Sequence, residues 1–259
     1  VGNSFKSAGL SAVITTVLAF LLAYTVHYTN LPKPLKKLIH GGAVLPMLLP
    51  TITYGFAIIY SFGKQGLITR LLGHQLFDIY GFTGLLLGYV IYTLPVSFLL
   101  IHNTMGYIDK KFMVVSRIMG DGGMKTFWIT IIRPLLGTLA ASFVQCFFLS
   151  FTDFGIPASV GGQYEVVASV LYDEMLGSLP DFNNGAVVAM VMLVPSVVSI
   201  LLLHYLERYN VRYSKISIVE NLKNRGRDIA CGICCGVVLL MIVIIFAVVF
   251  IVPFVSEWP

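Results

Sequence analysis

Charge is what this sequence has least of. Asp, Glu, Lys and Arg make up 11% of its 259 residues, against 57% hydrophobic residues. A soluble domain of this length needs a polar shell that so few charges cannot cover. The shortage is also patterned. No Asp, Glu, Lys or Arg occurs between Lys6 and Lys33, Lys37 and Lys64, Asp78 and Asp109, Arg133 and Asp153, Asp181 and Glu207, or Asp228 and Glu257. Each gap is at least 19 residues long, and a helix needs roughly 20 apolar residues to cross the hydrocarbon core. Strand-like alternation is missing, which argues against a membrane β-barrel. The predicted fold is an all-α polytopic membrane protein with six transmembrane helices, over about 7–28, 39–62, 82–105, 130–152, 184–206 and 229–252.

The charges that remain lie between these gaps, and their balance alternates. The first connection holds Lys33, Lys36 and Lys37 and no acid. The third, Gly106–Trp128, holds Lys110, Lys111, Arg117 and Lys125 against Asp109 and Asp121. The fifth holds Arg208, Arg212, Lys215, Lys223, Arg225 and Arg227 against Glu207, Glu220 and Asp228. The fourth carries Asp153, Glu165, Asp173, Glu174 and Asp181 and no base, while the second is mixed, with Lys64, Arg70 and Asp78. Basic loops stay in the cytoplasm, so loops one, three and five are expected inside and loop four outside. This accounts for the net charge of +5 without a nucleic-acid partner. Val1 then lies outside, with no basic flank and short apolar core of a signal peptide. An earlier span is expected before Val1, with room for further chain after Pro259.

Other absences narrow the function. The sequence has no HExxH, GxSxG or paired acidic motif, and so no recognisable nucleophile, base or metal set for a membrane-embedded enzyme. An ion-coupled secondary transporter, the other alternative, should show buried carboxylates or broken helices near mid-membrane. The expected spans contain no Asp or Glu. A P-loop is missing too, so any ATP must be hydrolysed by a partner. Of the four cysteines, Cys146 falls within a span and Cys231, Cys234 and Cys235 open the last one. With no His or carboxylate ligand set beside them they read as apolar packing, and no metal ligands are assigned. His27, His40, His102 and His204 fall near span ends, where structural roles are expected. Pro46, Pro50, Pro95, Pro134 and Pro195 punctuate the spans and can kink them. Gly81, Gly84 and Gly88 permit close helix contact.

The most informative stretch is DKKFMVVSRIMGDGGMKTFWITIIRPLLGTLAASFVQCFFLSFTDFGIPASVGG, residues 109–162. It resembles the cytoplasmic EAA loop of binding-protein-dependent importer permeases, with the span and outer loop that follow. Val114, Val115 and Ser116 occupy the Glu-Ala-Ala positions, Gly120 the glycine, and Thr126–Phe127 the usual Thr-Phe. The glutamate is absent, and Pro134 stands one residue late, with Arg133 intervening. Further segments fall in the family's order. Gly2-Asn3-Ser4-Phe5 resembles the entry to the first conserved span, LLPTITYGFAIIYSFGKQGLITRLLG (48–73) the second span and its outer turn, and YTLPVSFLLIHNTMGYIDKKF (92–112) the third. SFTDFGIPASVGG (150–162) and EVVASVLYDEM (165–175) resemble the outer loop of the branch that includes ferric iron, thiamine and 2-aminoethylphosphonate importers.

The resemblance implies a transmembrane permease domain over 1–210, with five helices forming the permease core. It further implies a cytoplasmic linker over 211–228, and over 229–259 the first span of a second permease half. The chain would be an importer subunit in the bacterial inner membrane and not an enzyme. Its implied partners are an ABC ATPase dimer, an extracytoplasmic substrate-binding protein, a second permease half, fused or separate, and the lipid membrane. No cofactor would be bound by this chain, ATP and Mg belonging to the ATPase. The cytoplasmic loop at about 106–128 would carry a coupling helix that docks in a groove of the ATPase, reversing at a glycine turn. The residues so implied are Val114, Val115, Ser116, Arg117, Gly120, Asp121, Lys125 and Phe127. Phe112 and Met113 add apolar anchors. In the outer loop, Asp153, Phe154, Gly155, Pro157 and Tyr172 are expected to form a landing surface for the binding protein, or the outer gate.

Overall fold

The computed structural model describes residues 1–177, 180–208 and 224–254. Most of the linker expected over 211–228 lies outside the described residues. Among the described residues, five helical segments are long and apolar enough to cross a membrane. These are α1 (Gly2–Tyr28), α5 (Phe82–Gly106), the run Gly123–Thr152, α11 (Phe182–Glu207) and α12 (Arg225–Ile251). Between α1 and α5 lie α2 (Lys33–Val44), α3 (Thr51–Phe62) and α4 (Leu67–Leu72).

The continuous helix expected over 39–62 is not formed. Lys33–Leu48 and Thr51–Leu72 are two arms bent by 110°. Pro50 forces the residue before it out of the helical region, and Leu49 is extended at φ −108°, ψ 146°. The Tyr54 hydroxyl donates back across the break to the Pro46 carbonyl, which also accepts from Leu49 N, so the two arms are tied together internally. Pro95 and Pro195, by contrast, sit inside intact α5 and α11.

The loops segregate to two ends. At one end Lys36 Nζ donates to Thr29 O at 2.6 Å, Lys110 Nζ to His27 O at 2.7 Å, and Asn30 Nδ2 to Asp228 Oδ2 at 3.4 Å. Loops one and three and the start of α12 therefore meet. At the other end Asn3 Nδ2 reaches Glu165 O at 3.1 Å, and Val167 N donates to Ser4 Oγ at 2.7 Å. There too Gly81 N donates to Val160 O at 2.8 Å, a bond that ties loop two to loop four. Basic loops one and three, with the start of α12, thus share one end and the acidic loop occupies the other, as alternating crossings require.

Inside the bundle, α1 and α5 pack on α8 (Arg133–Thr152) through a column of buried hydroxyls. Thr15 Oγ1 meets Thr93 Oγ1 at 3.0 Å, Ser11 Oγ donates to Ser150 Oγ at 3.1 Å, and Ser97 Oγ meets Ser142 Oγ at 2.5 Å. Lipid tails give apolar side chains little reason to prefer each other, so small residues and interhelical hydrogen bonds specify such contacts. Helix α11 flanks α8 and turns a mostly apolar, exposed surface outward. Helix α12 lies against α1, α2 and α3, burying Cys235, Leu239, Ile242, Ile245 and Phe246.

Candidate functional site

The third loop folds as a helical hairpin at the basic end. Its first arm is α6 (Lys111–Ile118) and its second is α7 (Gly123–Phe127), which runs through a π turn (Trp128–Ile132) into α8. The span expected to begin near residue 130 is therefore helical from Gly123. Gly120 makes the reversal at φ +85°, in the left-handed region that favours glycine. Gly122 has an ordinary φ of −65°, so the turn demands glycine at Gly120 rather than there.

A polar cluster closes the hairpin. Asp121 N donates to Ser116 O at 3.1 Å, and Ser116 Oγ donates to Asp121 Oδ2 at 2.7 Å. Ser116 Oγ also meets Thr126 Oγ1 at 3.1 Å, and Lys125 Nζ pairs with Asp121 Oδ1 at 2.6 Å. The Lys125 ammonium and the Ser116 hydroxyl hold the Asp121 carboxyl below the ordinary carboxylate value. Ser116 and Thr126 are buried, whereas Arg117 and Lys125 are exposed.

The apolar residues divide between two jobs. Met113 is buried in the bundle core and Val114 is half-buried, so neither offers the free anchor expected of it. Phe127 packs edge-on against Phe20 and Tyr24, at 6.2 and 5.8 Å between ring centroids, and fastens the hairpin to α1. The surface the hairpin presents is made by Phe112, Val115, Ile118, Met119 and Met124, with Ile118 81% and Met119 77% exposed. Ile118, Met119 and Met124 were missed in the sequence. The signal was available: apolar residues beside a glycine turn in a charged loop need a partner or a membrane surface. Beneath the hairpin a cavity of about 350 Å³ opens between Phe112, Val115, Met119, Ile129 and Pro134.

The outer loop behaves differently from its expectation. Asp153, Gly155 and Pro157 are buried, which takes them off the surface a partner could touch in this conformation. They anchor a short helix, α9 (Gly155–Val160), that folds back between α3 and α5. Ile156 fits over Gly88, where an added Cβ would come within 2.6 Å of its Cγ2, and Ser159 fills the place of a side chain at Gly55. Asp153 Oδ2 accepts from Ile156 N at 2.9 Å, and the Thr51 side chain, just past the Leu49–Pro50 break, stands near enough to favour the charged carboxylate. Burial nevertheless pushes the Asp153 carboxyl above its ordinary range, against both effects. Phe154 stacks on Tyr172 at 4.3 Å, and Tyr172, on α10 (Val167–Leu176), stays exposed.

Three histidines from separate helices also converge at the basic end. His27 Nε2 lies 3.1 Å from His102 Nδ1, and the His40 ring meets the His102 ring at 4.9 Å. No sequence spacing links them, because only the fold brings α1, α2 and α5 together here. Among the described residues, no group of three or more His, Cys, Asp or Glu is placed to hold a metal ion. The four cysteines are free thiols, and Cys235 Sγ donates to Thr25 Oγ1 at 3.1 Å.

Comparison with known proteins adds the frame for this geometry. Residues 15–212 match the family described as binding-protein-dependent transport system inner membrane component. A ferric transport system permease protein of Actinobacillus pleuropneumoniae is 25% identical over 222 residues, covering 84% of this chain and 32% of that protein. A sulfate transport system permease protein of Synechococcus elongatus is 26% identical over 218 residues, covering 82% and 76%. A molybdenum transport system permease protein of Escherichia coli is 24% identical over 217 residues, covering 79% and 91%. The chain spans about a third of the length of the ferric relatives it matches.

Proposed function

Because the chain belongs to the family of binding-protein-dependent transport system inner membrane components, we propose that it forms part of the substrate pathway of an ATP-driven importer. Its partners would be an ABC ATPase dimer, an extracytoplasmic binding protein and a second permease half, in a bacterial inner membrane. The observation that carries this reading is the hairpin at the basic end. Its tip is apolar and exposed, and its second arm continues without a break in helicity through Gly123–Thr152. A push on the tip is thus delivered along a span that contacts both α1 and α5.

One observation favours the ion-coupled alternative: a broken helix beside a buried carboxylate, Asp153. Asp153 caps the outer end of α8, however, and its side-chain bond serves the first turn of α9. The two mechanisms separate in proteoliposomes holding the full permease and its ATPase. Uptake should require ATP and the binding protein and should survive ionophores that collapse ion gradients. Uptake abolished by ionophores with ATP present would overturn the importer reading. For the cargo, the stretch 154–181 adds four acids and no base at the outer end, a charge balance that suits a cation better than an oxyanion. Competition by ferric iron, with none by sulfate or molybdate, is the expected outcome.

A further inference from the structure

The turn of the hairpin contains an acid, Asp121. Both Asp121 oxygens are engaged inside the hairpin, Oδ2 by Ser116 and Oδ1 by Lys125. The Asp121 side chain is only 18% exposed, whereas that of Lys125 is 66% exposed. Ser116 on α6 bonds both Asp121 in the turn and Thr126 on α7. A hydroxyl has one proton, and the ionised carboxylate is its better acceptor. Ser116 therefore donates to Asp121 and accepts from Thr126. The result is a polarised row, Thr126 O–H to Ser116 O–H to Asp121 carboxylate, that crosses from one arm to the other.

We propose that Asp121 is a positioning residue: its carboxylate orients the Ser116 and Thr126 hydroxyls, fixes α6 against α7, and so presents the Ile118–Met119 tip to the ATPase without touching the ATPase itself. This rests on reading the hairpin as the ATPase dock. Preorganisation of that kind acts on affinity, because a loose hairpin must be ordered on binding. The exposed ion pair to Lys125 contributes little by itself. What matters is an acceptor at Oδ2, which an amide can supply.

The test uses the full permease with its binding protein in vesicles, titrated with its purified ATPase at matched permease insertion. Asp121→Ala should weaken apparent ATPase affinity about tenfold, the loss expected of a buried hydroxyl left without its charged acceptor. Stimulated hydrolysis at saturating ATPase should be unchanged. Asp121→Asn should restore most of the affinity. Ser116→Ala should match Asp121→Ala, and the double variant should be no worse than either. Asp121→Asn as weak as Asp121→Ala, or additive losses in the double variant, would mean that the carboxylate touches the partner directly. Normal affinity for Asp121→Ala would mean that it positions nothing. Ile118→Asp separates the two levels of the argument. If it abolishes association while Asp121→Ala binds normally, the positioning role alone is lost. If it leaves association intact, the docking reading fails and the proposal with it.

Discussion

At Gly120 the backbone adopts φ +85°, and the space where a Cβ would sit is empty. The demand for glycine is therefore conformational and not steric. A left-handed residue with a side chain costs roughly 1–2 kcal/mol, more if β-branched and less for Asn. Gly120→Val should insert normally but lose ATPase co-purification, while Gly120→Asn should retain most of it. Equal retention by both variants would show that the turn is not needed for docking. Asp153 makes a pH prediction. Burial raises its folded pKa above the ordinary 3.8, so the folded protein holds that proton longer than the unfolded chain does. Its contribution to stability thus declines as pH rises above 3.8 and levels off beyond the raised value. Asp153→Asn stays neutral and keeps an acceptor for Ile156 N, so in detergent it should melt at or above wild type at neutral pH, with the gap closing in acid. A gap that widens in acid would reverse the assigned sign.

Among the elements, the long uncharged runs at 7–28, 82–105, 184–206 and 229–252 were legible because composition alone marks a crossing. The second crossing was not. Pro46 and Pro50 were visible, but whether a proline bends a membrane helix or breaks it depends on what meets the freed carbonyls, and that is tertiary. Within the hairpin, the glycine turn was legible, whereas the inward turn of Met113 and Phe127 needed the position of α1. The burial in the outer loop was not legible for a similar reason: nothing local says that α9 folds back into a space left by Gly55 and Gly88. The placement of α12 against α1 can be checked directly. Cys235 Sγ lies 3.1 Å from Thr25 Oγ1, so Thr25→Cys puts two thiols side by side. In a protein otherwise lacking cysteine, mild oxidation should cross-link the two helices, retarded or advanced migration after proteolysis between them reporting the bond. Free thiols after oxidation would show that α12 packs elsewhere.

For the whole molecule, the separation of basic and acidic loops to opposite ends makes topology the strongest sequence-level expectation, although orientation still rests on charge. In a cysteine-free background, a thiol at position 165 should react only with reagent applied from outside, and one at position 118 only from the cytoplasmic face. Reaction of position 165 from the cytoplasm would invert the protein. Ile118 is 81% exposed and the Glu165 carbonyl is at the surface with Asn3, so reagent access does not limit either arm.

The π turn at Trp128–Ile132 has a consequence for rotational phase. A residue added to an α-helix turns everything beyond it by about 100°. The wide turn absorbs such an addition locally, and Arg133 N bonds back to Trp128 O to close it. Pro134 stands one residue late against the loop this segment resembles, which is the offset a π turn accommodates. Beyond it Thr138, Ser142, Cys146 and Ser150 still recur every fourth residue along the buried face. Deleting Ile129 should convert the turn to α-helix and leave that face aimed at α1 and α5, so folding, read as detergent-stable monodisperse protein, should survive. Inserting one alanine after Leu139 should swing Ser142, Cys146 and Ser150 out of phase with their partners and abolish it. The helix thus behaves like a vernier: the hairpin can vary in length by one position while the seam above it stays in step.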